Sequence, residues 1–112
     1  MKVTELVPQP VEKVFFDRKN FREVPQVAGC YVLTTFDGHI LYVGQAVNLF
    51  DRFQQHLDNP EKTQSTSEGK TFWFYYFPSV ENLNRLENTW FNDYEIRNGR
   101  YPILNKQRPP IS

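Results

Sequence analysis

The chain has 112 residues, and 13 Lys and Arg residues balance 13 Asp and Glu residues, so the formal net charge is zero. This length suffices for one domain with one core, and zero net charge argues against broad, purely electrostatic binding of nucleic acid. The single cysteine, Cys30, excludes an internal disulfide and a cysteine-rich metal site. No apolar run is long enough to span a membrane, and the first residues lack the apolar core of a signal peptide. We therefore expect a cytoplasmic protein with no membrane partner.

The amino-terminal part of the chain differs in composition from the rest. Residues 1–28 contain three prolines and only short apolar runs. This composition predicts an irregular arm, assigned to residues 1–23, that packs against a domain formed by residues 24–106. Residues 107–112 are predicted to be a short tail.

The segment GCYVLTTFDGHILYVG predicts a β-hairpin, with strands at about residues 30–35 and 40–44. Its central Asp-Gly pair is typical of a two-residue turn, which would pair Tyr31 with Gly44 across the strands. Because side chains alternate between the two faces of a strand, Tyr31 and Tyr42 would lie on one face as diagonal neighbours. Gly44 has no side chain and would leave an opening directly across from Tyr31.

The remainder of the chain predicts two helices and one further strand. Asn48 can cap a helix that runs to about residue 57, and the polar stretch 59–70 predicts a loop. The run TFWFYYF at 71–77 predicts a strand that is covered on both faces. Ser79 can cap a second helix that runs to about residue 98, where Gly99 ends it. The order β-β-α-β-α indicates an α+β single domain with a three-stranded, mainly antiparallel sheet flanked by helices.

Three ionisable side chains on the predicted helices are candidates for a site. Arg52 and His56 are spaced i, i+4 and share one face of the first helix. Glu87 falls inside the apolar stripe of the second helix, where burying a bare carboxylate is costly. It therefore needs a partner, which is either a cation such as Arg52, giving a structural ion pair, or a divalent metal with oxygen ligands.

Taken together, these residues closely resemble the GIY-YIG nuclease superfamily. The resemblance covers residues 24–106, and the two triplets that name the family appear as Gly29-Cys30-Tyr31 and Tyr42-Val43-Gly44. Cys30 and Val43 replace the family's isoleucines at positions where packing, and not chemistry, is affected. The other matching positions are the helix arginine Arg52, the histidine His56, the glutamate Glu87, and Asn105 in a Pro-x-x-Asn setting.

The resemblance implies a metal-dependent endonuclease that hydrolyses DNA, with RNA left open as a substrate. Glu87 would be the single protein ligand for Mg²⁺ or Mn²⁺, and Arg52 would clamp a phosphate. Tyr31 would be the general base, assisted by Tyr42 or His56, and His56 is the rival base. The remaining residue, Asn105, would hold the site together by hydrogen bonds or contact the substrate backbone. Gly29 and Gly44 would be structural.

Four basic residues near the carboxyl end extend the expected substrate contact. Residues 97–108 contain no acid, and their basic members are Arg97, Arg100, Lys106 and Arg108. We expect these residues to follow the phosphate backbone of bound nucleic acid.

No appended DNA-reading module accompanies the expected domain, so a partner protein could supply target choice to a monomer or homodimer. The competing interpretation is a non-catalytic module that keeps the fold and binds nucleic acid or protein. A third interpretation is a hydrolase that acts on small phosphodiesters.

Overall fold

The computed structural model describes residues 1–109, so the last residues of the predicted tail, 110–112, lie outside the described residues. The four strands are β1 (Glu12–Phe15), β2 (Gly29–Thr34), β3 (Ile40–Ala46) and β4 (Trp73–Pro78). The three helices are α1 (Leu49–Leu57), α2 (Pro60–Thr63) and α3 (Leu83–Asn98). Two short 3-10 helices, Val3–Glu5 and Arg18–Glu23, lie in the amino-terminal part.

The strands form one antiparallel sheet in the order β1-β4-β2-β3, which leaves β3 at one edge. The α+β fold class is therefore confirmed, but the predicted number of three strands is wrong. The additional strand is β1, which pairs with β4 from Glu12 opposite Tyr76 to Phe15 opposite Trp73. A four-residue strand in an otherwise proline-containing arm gives too short an alternation to be recognised from the sequence.

The register of the predicted hairpin is confirmed, although its turn is different. Tyr31 lies opposite Gly44, as expected. The loop contains three residues instead of two, because Thr35 N donates to His39 O at 2.9 Å and Gly38 adopts a φ of +88°. This is the geometry of a type I turn followed by a left-handed glycine. Next to the turn, Thr34 lies opposite Ile40, and Leu41 is an extra residue without a partner in β2. From Leu33 opposite Tyr42 onward, the strands pair as predicted.

Helix α1 has the predicted start, whereas α3 begins later than expected. Asn48 caps α1 by accepting a hydrogen bond from Asp51 N at 3.1 Å. Ser79 does not cap α3; it exchanges two hydrogen bonds with Glu81 in a local turn, at 2.9 and 3.3 Å. α3 follows Asn82, which has a φ of +56°, and ends at Gly99 with a φ of +72°. The stretch predicted as a loop contains α2.

Helices cover the two faces of the sheet and form two layers of core. The layer under α1 contains Tyr31, Leu33, Ala46, Leu49, Phe53, Phe74 and Tyr76, together with Val14 and Val24 from the amino-terminal part. The layer under α3 contains Cys30, Val32, Ile40, Val43, Trp90, Phe91 and Tyr94, together with Val3 and Leu6. Within residues 1–109, no helix has both the length and the apolar character needed to cross a membrane.

Candidate active site

The candidate residues meet at the outer edge of β3, which is an edge strand of the sheet. In an antiparallel strand alternate residues direct their backbone groups outward, and an unpaired edge must be satisfied or covered. Asn105 covers Val43: its Oδ1 accepts from Val43 N at 2.9 Å and its Nδ2 donates to Val43 O at 3.0 Å. Two residues further along the strand, Arg52 Nη1 donates to Gln45 O at 3.0 Å. Both groups of the Asn105 amide are thus engaged by the protein, which supports the first of its two expected roles.

Tyr31 and His56 form a buried hydrogen-bonded pair on the α1 face of the sheet. The Tyr31 hydroxyl and His56 Nε2 are 2.5 Å apart, and the two residues are 0% and 7% exposed. Phe74 stacks on the Tyr31 ring at a centroid distance of 4.9 Å, which fixes the orientation of the phenol. The Tyr42 ring lies 6.0 Å from that of Tyr31, so the predicted approach of the two phenols is confirmed.

Burial controls the protonation of this pair. Burial raises the pKa of Tyr31 well above its ordinary value, the neighbouring Tyr42 raises it further, and the charge of Arg52 only partly opposes them. Burial also lowers the pKa of His56 to about 3, and the positive charges of Lys62 and Arg52 act in the same direction. His56 is therefore a neutral imidazole at pH 7 and can accept the Tyr31 hydroxyl hydrogen at Nε2.

Gly44 serves to admit the phenol of Tyr31. A Cβ at this position would lie 2.6 Å from Tyr31 Oη and 2.8 Å from Tyr42 Cε1. The opening predicted across from Tyr31 is therefore absent, because the phenol itself fills this space. Gly29 is required for a different reason. A Cβ there would lie 2.6 Å from the backbone oxygen of Phe77, so the glycine permits close strand pairing.

We expect Gly44→Ala to destabilise the fold and to reduce activity together. The added methyl group would force the Tyr31 phenol out of its position, and overpacking of this kind typically costs about 1–3 kcal/mol. The Tyr31–His56 hydrogen bond would be lost with it. Urea unfolding and a cleavage assay measure the two effects. A fully active, equally stable Gly44→Ala protein would show that the phenol moves freely and that its position is unimportant.

Glu87 reaches the same edge from the opposite side of the sheet. It lies on α3, is 6% exposed, and accepts a hydrogen bond from Gln45 Nε2 at 2.9 Å. Gln45 also donates to Asn84 Oδ1, one turn earlier on the helix. Within residues 1–109, Glu87 makes no ion pair, so the alternative of a structural ion pair with Arg52 is not observed.

The surroundings of Glu87 fit a hard divalent cation. Burial raises the pKa of its carboxyl group, while the Gln45 hydrogen bond and the charge of Arg52 oppose the shift. A carboxylate held in this way gains from a cation more than a solvated one does, and carboxylate and amide oxygens are ligands that Mg²⁺ accepts. In the described part of the chain, no three His, Cys, Asp or Glu side chains cluster. A metal here would thus have Glu87 as its carboxylate ligand and water or substrate at most other positions.

Lys62 is a site residue that the sequence did not indicate. Its ammonium lies 4.7 Å from the centre of the Tyr42 ring, and the residue is only 8% exposed. Together with Tyr42 and the segment 104–107, it lines a cavity of about 370 Å³. A lysine within a polar stretch is usually solvated. The four-residue helix α2 that turns Lys62 toward Tyr42 gives no recognisable periodicity.

The four basic residues expected to contact nucleic acid are all engaged with carboxylates. Their partners are Glu5 for Arg97 (2.9 Å), Glu68 for Arg100 (2.6 Å), Glu61 for Lys106 (2.7 Å) and Glu95 for Arg108. Of the four, Lys106 lines the cavity beside Tyr42. The other three lie at the end of α3 or beyond it and are not brought to the site by the fold. Their contact with a phosphate backbone stays a prediction.

Comparison with known proteins agrees with this arrangement. Residues 27–100, well over half of the chain, match the family model described as the GIY-YIG catalytic domain. The chain belongs to the GIY-YIG family. The match contains both tyrosines of the hairpin, Arg52, His56 and Glu87, whereas Asn105 follows it. Membership confirms the resemblance deduced from the sequence and supports a nuclease-type function in general.

Two curated relatives of this GIY-YIG domain are UvrABC system protein C from different organisms. The protein from Mycoplasma genitalium is 31% identical over 83 residues, which cover 71% of this chain and 14% of the relative. The protein from Mycoplasmoides gallisepticum is 27% identical over 82 residues, which cover 73% of this chain and 14% of the relative. The chain thus corresponds to a small part of these longer proteins.

Proposed function

We propose that this GIY-YIG domain is a metal-dependent endonuclease that hydrolyses DNA phosphodiester bonds. The observation that carries the proposal is the convergence of complementary groups at the β3 edge. The buried Tyr31–His56 pair and Arg52 approach from the α1 face, and the carboxylate of Glu87 approaches from the α3 face. A proton acceptor, a cation for phosphate and a metal ligand are the groups that phosphodiester hydrolysis requires.

Glu87 would hold the metal, and Arg52 would hold the scissile phosphate. When bound, Mg²⁺ or Mn²⁺ would stabilise the charge that develops on the phosphate and on the leaving oxygen. Arg52 makes no ion pair within residues 1–109, and Gln45 O occupies one of its five donors. The guanidinium also approaches the Tyr31 hydroxyl, and its other donors would bind phosphate oxygens. The hydrogen bond from Arg52 to Gln45 O orients the guanidinium group for this role.

Tyr31 would accept the proton of the attacking water while His56 accepts the proton of Tyr31. The Tyr31 phenol is hydrogen-bonded to His56 Nε2 and is 0% exposed, so the attacking water would reach its oxygen only when bound substrate displaces the neighbouring Tyr42 or Arg52 side chain. Transfer of one proton to Tyr31 Oη and of another from Tyr31 Oη to His56 Nε2 avoids a buried tyrosinate, and the negative charge of the bound phosphate would offset the cost of the imidazolium, which the low pKa of His56 otherwise disfavours. Tyr31 thus acts as the general base in a relay that ends on His56.

Target choice would come from a partner protein or a further domain. The chain has zero net charge, and the four carboxyl-terminal basic residues already have carboxylate partners. This carboxyl-terminal group therefore offers no unpaired positive charge for tight, non-specific binding. The name of the relatives, UvrABC system protein C, refers to a system of proteins, which supports a partner for this domain as well.

The test is conversion of supercoiled plasmid DNA to nicked or linear forms with Mg²⁺ or Mn²⁺, with EDTA as the control. Parallel reactions contain single-stranded DNA, RNA and a small chromogenic phosphodiester. Metal-dependent plasmid cleavage is expected. Cleavage of the small diester alone would favour the small-molecule hydrolase. No hydrolysis of any substrate, combined with measurable DNA binding, would favour the non-catalytic module.

A further inference from the structure

Lys62 is a largely buried residue whose ammonium group has no anionic partner among the described residues. Within residues 1–109, no hydrogen bond or ion pair joins it to another side chain or to the backbone. Its contact is with the face of the Tyr42 ring, at 4.7 Å. The neighbouring carboxylate of Glu61 is already paired with Lys106 at 2.7 Å. The surrounding protein partly desolvates this charge and lowers the pKa of Lys62, and the cation–π contact with Tyr42 offsets part of that cost.

The cavity that Lys62 faces is suited to an anion. Its volume is about 370 Å³, and its lining residues are Tyr42, Lys62, Leu104, Asn105, Lys106 and Gln107. Two of these six carry a positive charge, and none carries a negative one. The Asn105 amide is occupied at Val43, so the side-chain donors that remain on the lining residues are the Tyr42 hydroxyl, the Gln107 amide and the two ammonium groups, of which that of Lys106 is paired with Glu61.

The location of this cavity connects it with the β3 edge. Tyr42 contributes to both: its ring lies 5.4 Å from that of His56 and also forms part of the cavity wall. Asn105 is shared in the same way, since it pairs with Val43 and lines the cavity. A nucleic-acid strand with one phosphate at Arg52 could therefore place an adjacent phosphate at Lys62 without leaving the protein surface.

We propose that this cavity is a second phosphate-binding subsite, which takes a backbone phosphate adjacent to the one that is cut, with the Lys62 ammonium as its ligand. The proposal rests on the proposed nuclease function for the origin of the phosphate. Lys106 would contribute by exchanging part of its ion pair with Glu61 for the bound anion. Phosphate at this position would also order Tyr42, because the cation above its ring would be held in place.

The first test measures binding of a fluorescently labelled DNA duplex in EDTA over a series of salt concentrations. Lys62→Gln should lower affinity about 10- to 100-fold, as loss of a hydrogen bond to a charged group does. It should also reduce the slope of log affinity against log salt by about one. Lys70→Gln makes the same charge change at an exposed residue outside the cavity and should alter neither quantity appreciably. Lys62→Arg should retain most of the slope.

The second test identifies the ligand chemistry without nucleic acid. Inorganic phosphate is titrated into the wild-type protein at constant ionic strength, and the amide resonances of residues 61, 62 and 106 are followed by NMR. Saturable shifts of these cavity resonances are expected, separate from shifts near Arg52, and Lys62→Gln should abolish the cavity shifts alone. This measurement uses the wild-type chain and so remains decisive if Lys62→Gln fails to fold.

The outcomes separate this subsite from the proposed function. Unchanged duplex affinity and slope in a folded Lys62→Gln protein, or phosphate shifts that avoid the cavity, would overturn the subsite even if the protein cuts DNA. Saturable phosphate binding at Lys62 in a protein that cuts nothing would leave the subsite standing and remove the nuclease.

Discussion

Glu87→Gln should abolish DNA cleavage while leaving the protein at least as stable as the wild type. The amide keeps the shape of the side chain and a polar group opposite Gln45, but it removes the charge that would bind the metal. Metal-ion catalysis is worth several kcal/mol of transition-state stabilisation, so the expected loss of rate is at least about 10³-fold.

The stability effect of Glu87→Gln follows from the direction of its pKa shift. The folded-state pKa of Glu87 is raised by burial, so the unfolded chain releases this proton at a lower pH than the folded one. The wild type therefore loses stability as pH rises through the folded-state pKa, and the variant does not. Thermal unfolding should show a higher midpoint for Glu87→Gln at pH 7 than for the wild type, with the difference disappearing toward pH 4.

A matched control for this substitution lies on the same helix. Glu95→Gln removes a carboxylate from α3 that is paired with Arg108 away from the site, and its activity should be unchanged. Full activity of Glu87→Gln would exclude the carboxylate as a metal ligand. A severe loss of stability would instead indicate a structural role for the charge.

Tyr31→Phe should reduce the cleavage rate about 10²- to 10⁴-fold, the usual cost of losing a general base. The ring and its stacking on Phe74 remain, so the fold should persist with the loss of one buried hydrogen bond. Because Tyr31 and His56 act in one relay, His56→Ala should show a similar loss of rate. The double variant should be little worse than either single one, as is typical of residues that act as a unit.

The dependence of the rate on pH provides a second check of this pair. Protonation of His56 would block Nε2, but its pKa is lowered to about 3, so the imidazole stays neutral as pH falls through 6.5. The cleavage rate should therefore not decline around pH 6.5 on account of His56. A tenfold loss per pH unit below 6.5 that disappears in His56→Ala would show that the pKa of His56 is not lowered in the folded protein. A nearly wild-type rate in Tyr31→Phe combined with an inactive His56→Ala would make His56 the base.

The hairpin illustrates how much of the site the sequence could predict. Alternation and the Asp-Gly pair correctly placed Tyr31 opposite Gly44, although the turn has a different length. The prediction succeeded because the extra residue at Leu41 compensates for the longer turn. Neither the length of the turn nor the extra residue can be predicted from the sequence, because a left-handed glycine such as Gly38 suits both two-residue and three-residue loops. The opening predicted across from Tyr31 is absent for a related reason. Strand pairing determines which residues face each other, but it does not determine where an aromatic ring lies.

The parts that the sequence missed depend on tertiary contacts. Strand β1 and helix α2 have four residues each, too few for a periodic pattern. Lys62 is buried because α2 folds back beside Tyr42, and nothing in its polar neighbourhood indicates this. Glu87 was recognised because a carboxylate in an apolar stripe is exceptional. The partner of Glu87 could not be predicted from the sequence, which allowed either a cation such as Arg52 or a metal. In the structure, Glu87 accepts a hydrogen bond from Gln45.

The division of the site between the two faces of the sheet has a consequence for the newly made chain. During synthesis, the two hairpin tyrosines, Arg52 and His56 are added to the chain before Glu87, and Asn105 is the last of the site residues to be added. A folding intermediate made of the hairpin and α1 would have a proton acceptor and a phosphate clamp but no carboxylate for the metal. Hydrolysis would begin only when α3 docks and residue 105 seals the strand edge. Under the proposed nuclease function, a nascent or partly unfolded copy would therefore not cut the nucleic acids around it.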